Sequence, residues 1–261
     1  MELQPESLIL TIDLGNTAMK ASVFEGSRLV QSIVSDDSDP DAIRTLLTFH
    51  SVEGIVMCST GQDRLDIAET LRRENVVPFL ELSHDTPLPI RVEYSTPGTL
   101  GLDRVAAAVA AADICGAALV VDLGTAVTAD LVADGAFRGG NISPGLRLRF
   151  RSLNRFTSKL PLVCPQGDIP DFGDSTETAI RSGVVRGLVA EISDDYRLAN
   201  EEIPGLALIL TGGDAEFIAP LLRSRGLDPV VDRSLLGKGL VRIFNFNHSG
   251  AVRQNIQTDS I

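Results

Sequence analysis

Apolar residues along this chain fall into short runs divided by turn formers, and the runs alternate between strand-like and helix-like spacing. Leu8–Ile12 and residues 19–24 read as strands on either side of a glycine turn, with a third near Leu29–Val34. Residues 40–50 place Ile43, Leu46 and Leu47 on one helical face behind Pro40. Gly54–Ser59 reads as a buried parallel strand, followed by a helix over about 62–74 and a short strand at Val76–Leu80. Residues 84–100 are rich in proline and turn formers and carry Tyr94 towards an alanine-rich helix over about 103–114, which Gly116 would cap. Asp174-Ser175-Thr176-Glu177 opens a long helix with Ile180, Val184, Leu188 and Ile192 on one face. Gly183 and Gly187 leave room on that helix for close approach of another element. Leu206–Leu210 is a further buried strand, ending in Thr211-Gly212-Gly213-Asp214, and beyond Asn245 the chain turns polar and reads as a loose tail. Strands alternating with helices indicate an α/β fold.

One unit occurs twice. Asp13-Leu14-Gly15-Asn16-Thr17-Ala18 and Asp122-Leu123-Gly124-Thr125-Ala126 lie about 110 residues apart, each between two strand-like runs. A glycine turn carrying an aspartate and a threonine sets backbone N–H groups and a hydroxyl beside a carboxylate, which suits a magnesium-bound phosphate chain. Either copy alone would pass for a hairpin turn, since Asp, Gly and Asn are turn formers. The duplication favours a nucleotide clamped from both sides. It also divides the chain into a lobe at 1–116, a second at 117–245, and a flexible tail at 246–261.

Composition narrows the function. A net charge of −12 over 261 residues disfavours a nucleic-acid partner, which requires lysine and arginine to neutralise phosphates. It makes an added cation a natural helper for phosphate chemistry. No run approaches a membrane span, and the acidic start lacks the basic region of a signal peptide, so no membrane association and a cytoplasmic location are expected. Cys58, Cys115 and Cys164 are odd in number and scattered, as reduced thiols would be, and show no zinc spacing. The P-loop pattern, the protein-kinase signatures and the nucleophile elbow of hydrolases are all missing from the sequence. Arg147, Arg149, Arg151 and Arg155 follow the glycine cluster Gly139–Leu146. Their alternation with Leu148, Phe150 and Leu153 reads as a solvated face, the other reading being a cationic rim for anionic substrates.

Taken in order, five segments resemble the type III pantothenate kinases of the actin-like superfamily. They are Asp13–Thr17, Tyr94 with Gly101-Leu102-Asp103-Arg104, Asp122–Thr128, Gly139–Leu146, and Leu210-Thr211-Gly212-Gly213. The resemblance spans about residues 8–245, and Gly-x-Asp-Arg followed by Asp-x-Gly-Thr-Ala-x-Thr is its most specific part. It implies a two-lobed, ribonuclease H-like duplicated fold with mixed sheets and an ATP cleft between the lobes. The implied reaction is phosphorylation of pantothenate by ATP, the opening step of coenzyme A synthesis, in a homodimer.

The resemblance also implies roles. Asp13, Leu14, Gly15, Asn16, Thr17, Ala18, Met19 and Lys20 match the first phosphate loop, with Asp13 placing magnesium, and Thr125 matches a second ATP contact. Asp122 matches a ligand of a monovalent cation, potassium or ammonium; a strand-end carboxylate capping its own turn is the plainer account. Asp103 matches the catalytic base that orients the pantothenate hydroxyl and takes its proton, although an aspartate there also serves as a helix cap. Tyr94, Gly101, Leu102, Arg104 and Thr176 match substrate contacts, Arg104 pairing with the pantothenate carboxylate or the transferring phosphoryl group. Thr176 is the position that can reach the neighbouring subunit's substrate, and it also suits a first helical turn. Gly212 and Gly213 resemble an adenosine-side pair. The competing functions are another small-molecule kinase of this fold and a non-catalytic nucleotide-binding accessory protein.

Overall fold

The computed structural model describes residues 7–15, 18–35, 40–59, 65–74 and 77–258. These residues form two compact units. The first takes the chain up to Ile114, the short stretch Gly135–Phe137 and the chain from Ser234; the second takes Cys115–Asp134 and Arg138–Arg233.

In the first unit, β1 (Leu8–Leu14), β2 (Met19–Glu25) and β3 (Arg28–Ser35) precede α1 (Pro40–Phe49), β4 (Gly54–Ser59), α2 (Leu65–Glu74) and β5 (Phe79–Glu81). The sheet order is β3-β2-β1-β4-β5. β1 and β2 are antiparallel, as are β2 and β3, while β4 runs parallel to β1 and β5 parallel to β4. The central strands are apolar on both faces because both faces are covered. Leu10, Ile12, Leu14, Ile55 and Met57 pack on one side with Ile43, Leu46, Ile67 and Leu71. Ile9, Val56 and Cys58, the alternate residues, enter a second cluster with Ala106 and Val109. β6 (Arg91–Val92) and α3 (Leu102–Cys115) complete this part of the chain.

The second unit restates the motif. β7 (Ala118–Leu123), β8 (Ala126–Ala133) and β9 (Ala136–Pro144) lead into α4 (Leu146–Phe156), α5 (Thr176–Glu202), β10 (Ala207–Thr211), α6 (Ala215–Arg223) and β11 (Val230–Val231). The strands lie in the order β11-β10-β7-β8-β9. β7 pairs antiparallel with β8 and parallel with β10, as β1 does with β2 and β4. The opening residues of β9, Ala136 and Phe137, pair in parallel with β6 within the first unit.

The final helix, α7 (Leu235–Thr258), belongs to the first unit rather than to a second lobe and a tail. Glycine makes this possible. A Cβ on Gly239 would overlap the Ala106 carbonyl of α3, and one on Gly54 would overlap the edge of the Phe244 ring. The helix runs through residue 246 without a break, and His248 stacks on Phe244 with ring centroids 4.0 Å apart. The polar composition that reads as a loose tail is compatible with a helix, since polarity alone removes no backbone hydrogen bond.

Three local expectations gain detail. The arginine run is helical: Arg147, Arg151 and Arg155, four residues apart, line one exposed face of α4 as the solvated-face reading expects, and Arg149 alone leaves it. Within the tetrapeptide that opens α5 the cap is Ser175: Ser175 Oγ accepts from the Thr178 amide at 3.2 Å, and Thr178 Oγ1 accepts from the Ser175 amide at 3.0 Å. A Cβ on Gly183 or Gly187 would meet nothing within 4 Å, so no described element makes the close approach that those glycines permit. The start of the helix expected from 62 and the strand residue Val76 lie outside the described residues.

Candidate active site

β1 hands over to β2 through a turn in which the Gly15 amide donates to the Ala18 carbonyl at 3.1 Å. A Cβ on Gly15 would stand 3.2 Å from that same oxygen, leaving little space for a side chain. Leu14 and Met19 are buried at the two strand ends and anchor the turn, while Asp13 and Lys20 are half-buried partners across the pair. Asn16 and Thr17 lie outside the described residues. The parallel register of β1 with β4 sets Asp13 beside Cys58.

Asp103 stands in the first turn of α3. The Cys58 thiol is raised well above its ordinary value, chiefly by burial and then by the Asp13 and Asp103 carboxylates. Ala106 and Val109 of α3 pack in the same apolar cluster as Cys58, which brings that helix beside the end of β4. The β1–β2 turn and the start of α3 therefore lie near the carboxyl ends of β1 and β4. A thiol raised this way stays neutral and is no nucleophile.

The Gly101-Leu102-Asp103-Arg104 motif has a steric explanation. Asp103 is the second residue of α3, inside the first turn rather than at the N-cap, and its Oδ1 accepts from the neighbouring Arg104 amide at 2.8 Å. A Cβ on Gly101 would overlap that Oδ1, which means the carboxylate occupies the space a side chain would take. Gly101→Ala must push the carboxylate aside; displacement of this kind costs about 10²-fold in turnover, and kcat of the purified variant measures it.

Arg104 is no solvent-facing helix arginine. It is 7% exposed, and its Cζ lies 5.5 Å from the centroid of the Phe137 ring. Half-buried Tyr94 meets the same ring nearly edge-on, centroids 5.8 Å apart at 77°. Leu102 packs partly buried against the cluster containing Cys58. Phe137 escaped the sequence reading because it lies in no motif; it is one apolar residue in a β-strand more than 30 positions downstream.

In the second unit the Gly124 amide donates to the Ala126 carbonyl at 3.1 Å, closing a turn one residue shorter than the first. Half-buried Asp122 and exposed Thr125 flank it. Gly145 donates to the Thr125 carbonyl at 3.0 Å. Gly212 has φ +88, and a Cβ there would overlap the Asp122 carboxylate and come within 2.7 Å of the Leu123 backbone. Packing on the second turn thus already requires a glycine at 212, whereas Gly213 faces open space. Asp214 is raised by burial, with Arg147 acting in the opposite sense.

Thr176, the exposed first residue of α5, lines a groove of about 670 Å³ with Arg149, Leu153, Leu160, Ile180 and Gly183. Arg149 is held rather than solvated: it donates to Glu191 at 2.6 Å, Ser143 at 2.9 Å and the Pro144 carbonyl at 2.7 Å. Among the described residues no group of three or more His, Cys, Asp or Glu forms a metal cluster, and no helix is long and apolar enough to cross a membrane.

Comparison with known proteins gives the same family as the motifs. Residues 9–197 match the model of the type III pantothenate kinase family. The type III pantothenate kinase of Phocaeicola vulgatus is 41% identical, covering 91% of this chain and 98% of that protein. Among solved structures, a Campylobacter jejuni protein described as a candidate Baf family transcriptional activator superposes with a TM-score of 0.62 at 22% identity, covering 92% and 99% of the two chains. A ROK family glucokinase of Streptomyces griseus, solved with glucose and AMPPNP, reaches 0.53 at 13% identity over 93% and 100%. These last two likenesses concern the fold, which is actin-like. With its family model matched over more than half its length and a relative this similar along nearly all of it, the chain belongs to the type III pantothenate kinases.

Proposed function

We propose that this chain transfers the γ-phosphoryl group of ATP to the 4′-hydroxyl of pantothenate, giving ADP and 4′-phosphopantothenate in the cytoplasm. The observation that carries the proposal is that Asp13 pairs in register with Cys58 while α3, which carries Asp103 at its start, packs through Leu102, Ala106 and Val109 into the cluster holding Cys58. The hydroxyl oxygen bonds to the γ-phosphorus, the bond from that phosphorus to the bridging oxygen breaks, and the hydroxyl proton passes to Asp103. Arg104 pairs with the pantothenate carboxylate and Tyr94 packs against the substrate, while Gly101 and Leu102 shape the approach. Leu14–Lys20, including Asn16 and Thr17, and Thr125 hold the phosphates.

Two carboxylates on one locus of an acidic protein suit a divalent cation carried in by the phosphates, for which one or two carboxylates suffice. Asp13 holds magnesium, which offsets the charge on the β- and γ-phosphates. Asp122, close under Gly212, supplies a carboxylate for potassium or ammonium. The working form is a homodimer in which Thr176 reaches the neighbouring subunit's substrate; the groove beside it supports that reading.

The test is ADP release from magnesium-ATP with and without pantothenate, in potassium and then in sodium buffer. Turnover that requires pantothenate and drops in sodium is the expected result. Folded protein that releases no ADP in response to pantothenate in either buffer would overturn the proposal.

A further inference from the structure

His84 lies in no motif, yet its ring holds the peptide that leads into Gly101-Leu102-Asp103. The loop that carries it leaves the first sheet where the Leu82 amide donates to the Met57 carbonyl at 2.8 Å, and Leu82 is buried in the cluster that holds Cys58, Ala106 and Val109. A turn then closes. The Thr86 amide donates to the Ser83 carbonyl at 3.1 Å, and Thr86 Oγ1 accepts from the Ser83 amide at 2.9 Å. From that turn His84 Nε2 reaches the carbonyl of buried Leu100, 16 residues on, at 2.9 Å. A carbonyl only accepts, so Nε2 carries the proton and donates.

We propose that His84 is a positioning residue for Asp103, acting through the Leu100–Gly101 peptide. This rests on the kinase reading above. The peptide is planar, so a hydrogen bond that fixes the Leu100 carbonyl also fixes the plane in which the Gly101 amide and Cα lie. Gly101 in turn sets where the carboxylate can stand. A Cβ there would overlap Asp103 Oδ1, and the Gly101 carbonyl accepts from the Val105 amide at 3.1 Å as α3 begins. The approach to Gly101 is the short turn Pro97–Thr99, whose own bonds are local: Leu100 amide to Pro97 carbonyl at 3.2 Å, and Thr99 Oγ1 to Thr96 carbonyl at 2.9 Å. Local bonds hold the shape of such a turn without orienting it against the sheet. His84 supplies a tie of that second kind, from a loop anchored beside β4. Its side chain is exposed, so burial of the ring does not account for a histidine at this place.

His84→Ala and His84→Gln test this by steady-state kinetics, assayed well below the melting temperature of each variant. Misplacing a reacting group by about 1 Å can cost about 10²-fold, so His84→Ala should lower kcat at least about tenfold while KM for ATP stays within about twofold. Glutamine carries an amide N–H about as far from the backbone as Nε2, and His84→Gln should recover kcat to within about threefold of wild type. In the Asp103→Asn background, His84→Ala should lower kcat less than about twofold further, since no base is left to aim. An unchanged kcat in His84→Ala, a glutamine variant as impaired as alanine, or full additivity with Asp103→Asn would reduce His84 to a surface tie. The wild-type protein run in parallel separates the two questions: if it shows no pantothenate-dependent turnover, the kinase reading fails before the variants are considered.

Discussion

Asp103→Asn should lower kcat by about 10²–10⁴-fold while KM for ATP stays within about twofold, the range expected for loss of a positioned base. At about 1.4 kcal/mol per tenfold, that is about 3–5 kcal/mol of transition-state stabilisation. Asparagine is the informative replacement because it keeps what the structure shows Asp103 doing locally. Its Oδ1 can still accept from the Arg104 amide, and it still fits the space that Gly101 leaves open. What goes is the negative charge and the capacity to take a proton. Loss of a charge at the start of α3 costs only about 0.3–1 kcal/mol through the helix dipole, too little to explain such a fall by unfolding. One influence raising the Cys58 thiol would also disappear, although burial, the larger cause, would keep it neutral. Turnover above about a tenth of wild type, with an unchanged melting temperature, would show that Asp103 only shapes the first turn of α3 and is not the base.

The parts of the candidate site that the sequence pointed to are those whose chemistry is local. The two Asp-Leu-Gly turns are recognisable because a tight turn between strands restricts both residue type and order, and both lie between the expected strands. Gly101 and Asp103 stand two residues apart because one fills the other's space. Long-range pairings were hidden. Nothing in the run Leu235–Phe244 says that it returns to the first unit; Gly237 and Gly239 read as ordinary glycines until Phe24 and the Ala106 carbonyl are found against them. Arg147, Arg151 and Arg155 do line a solvated face of α4, but Arg149 leaves it for Glu191, a partner 42 residues away that no local pattern announces. Phe137 was invisible for the same reason, since an aromatic residue in a strand looks like core until its partners are known.

Gly145→Ala is the second change with a large expected effect, and its force is steric. Gly145 has φ −64 and ψ 164, an extended conformation open to any residue, so backbone freedom is not why glycine stands there. A Cβ would overlap the Gly124 and Thr125 carbonyl oxygens and lie 2.8 Å from the Thr125 carbonyl carbon. Every one of these neighbours is backbone, so no side chain can swing away. The Gly145 amide also donates to the Thr125 carbonyl at 3.0 Å, which pins the start of α4 to the second turn. Relief requires that hydrogen bond to stretch and the Gly124-Thr125 turn to shift. Overpacking of this sort costs about 1–3 kcal/mol in stability. Because Thr125 is proposed to hold phosphate, the shift should also raise KM for ATP at least about tenfold, about 1.4 kcal/mol of binding. KM for pantothenate should change less than about twofold, since Tyr94, Asp103 and Arg104 belong to the other unit. Nucleotide titration and thermal unfolding of the variant separate the two effects. A lower melting temperature with an unchanged ATP constant would leave Gly145 as packing alone and would remove the second turn from the nucleotide site.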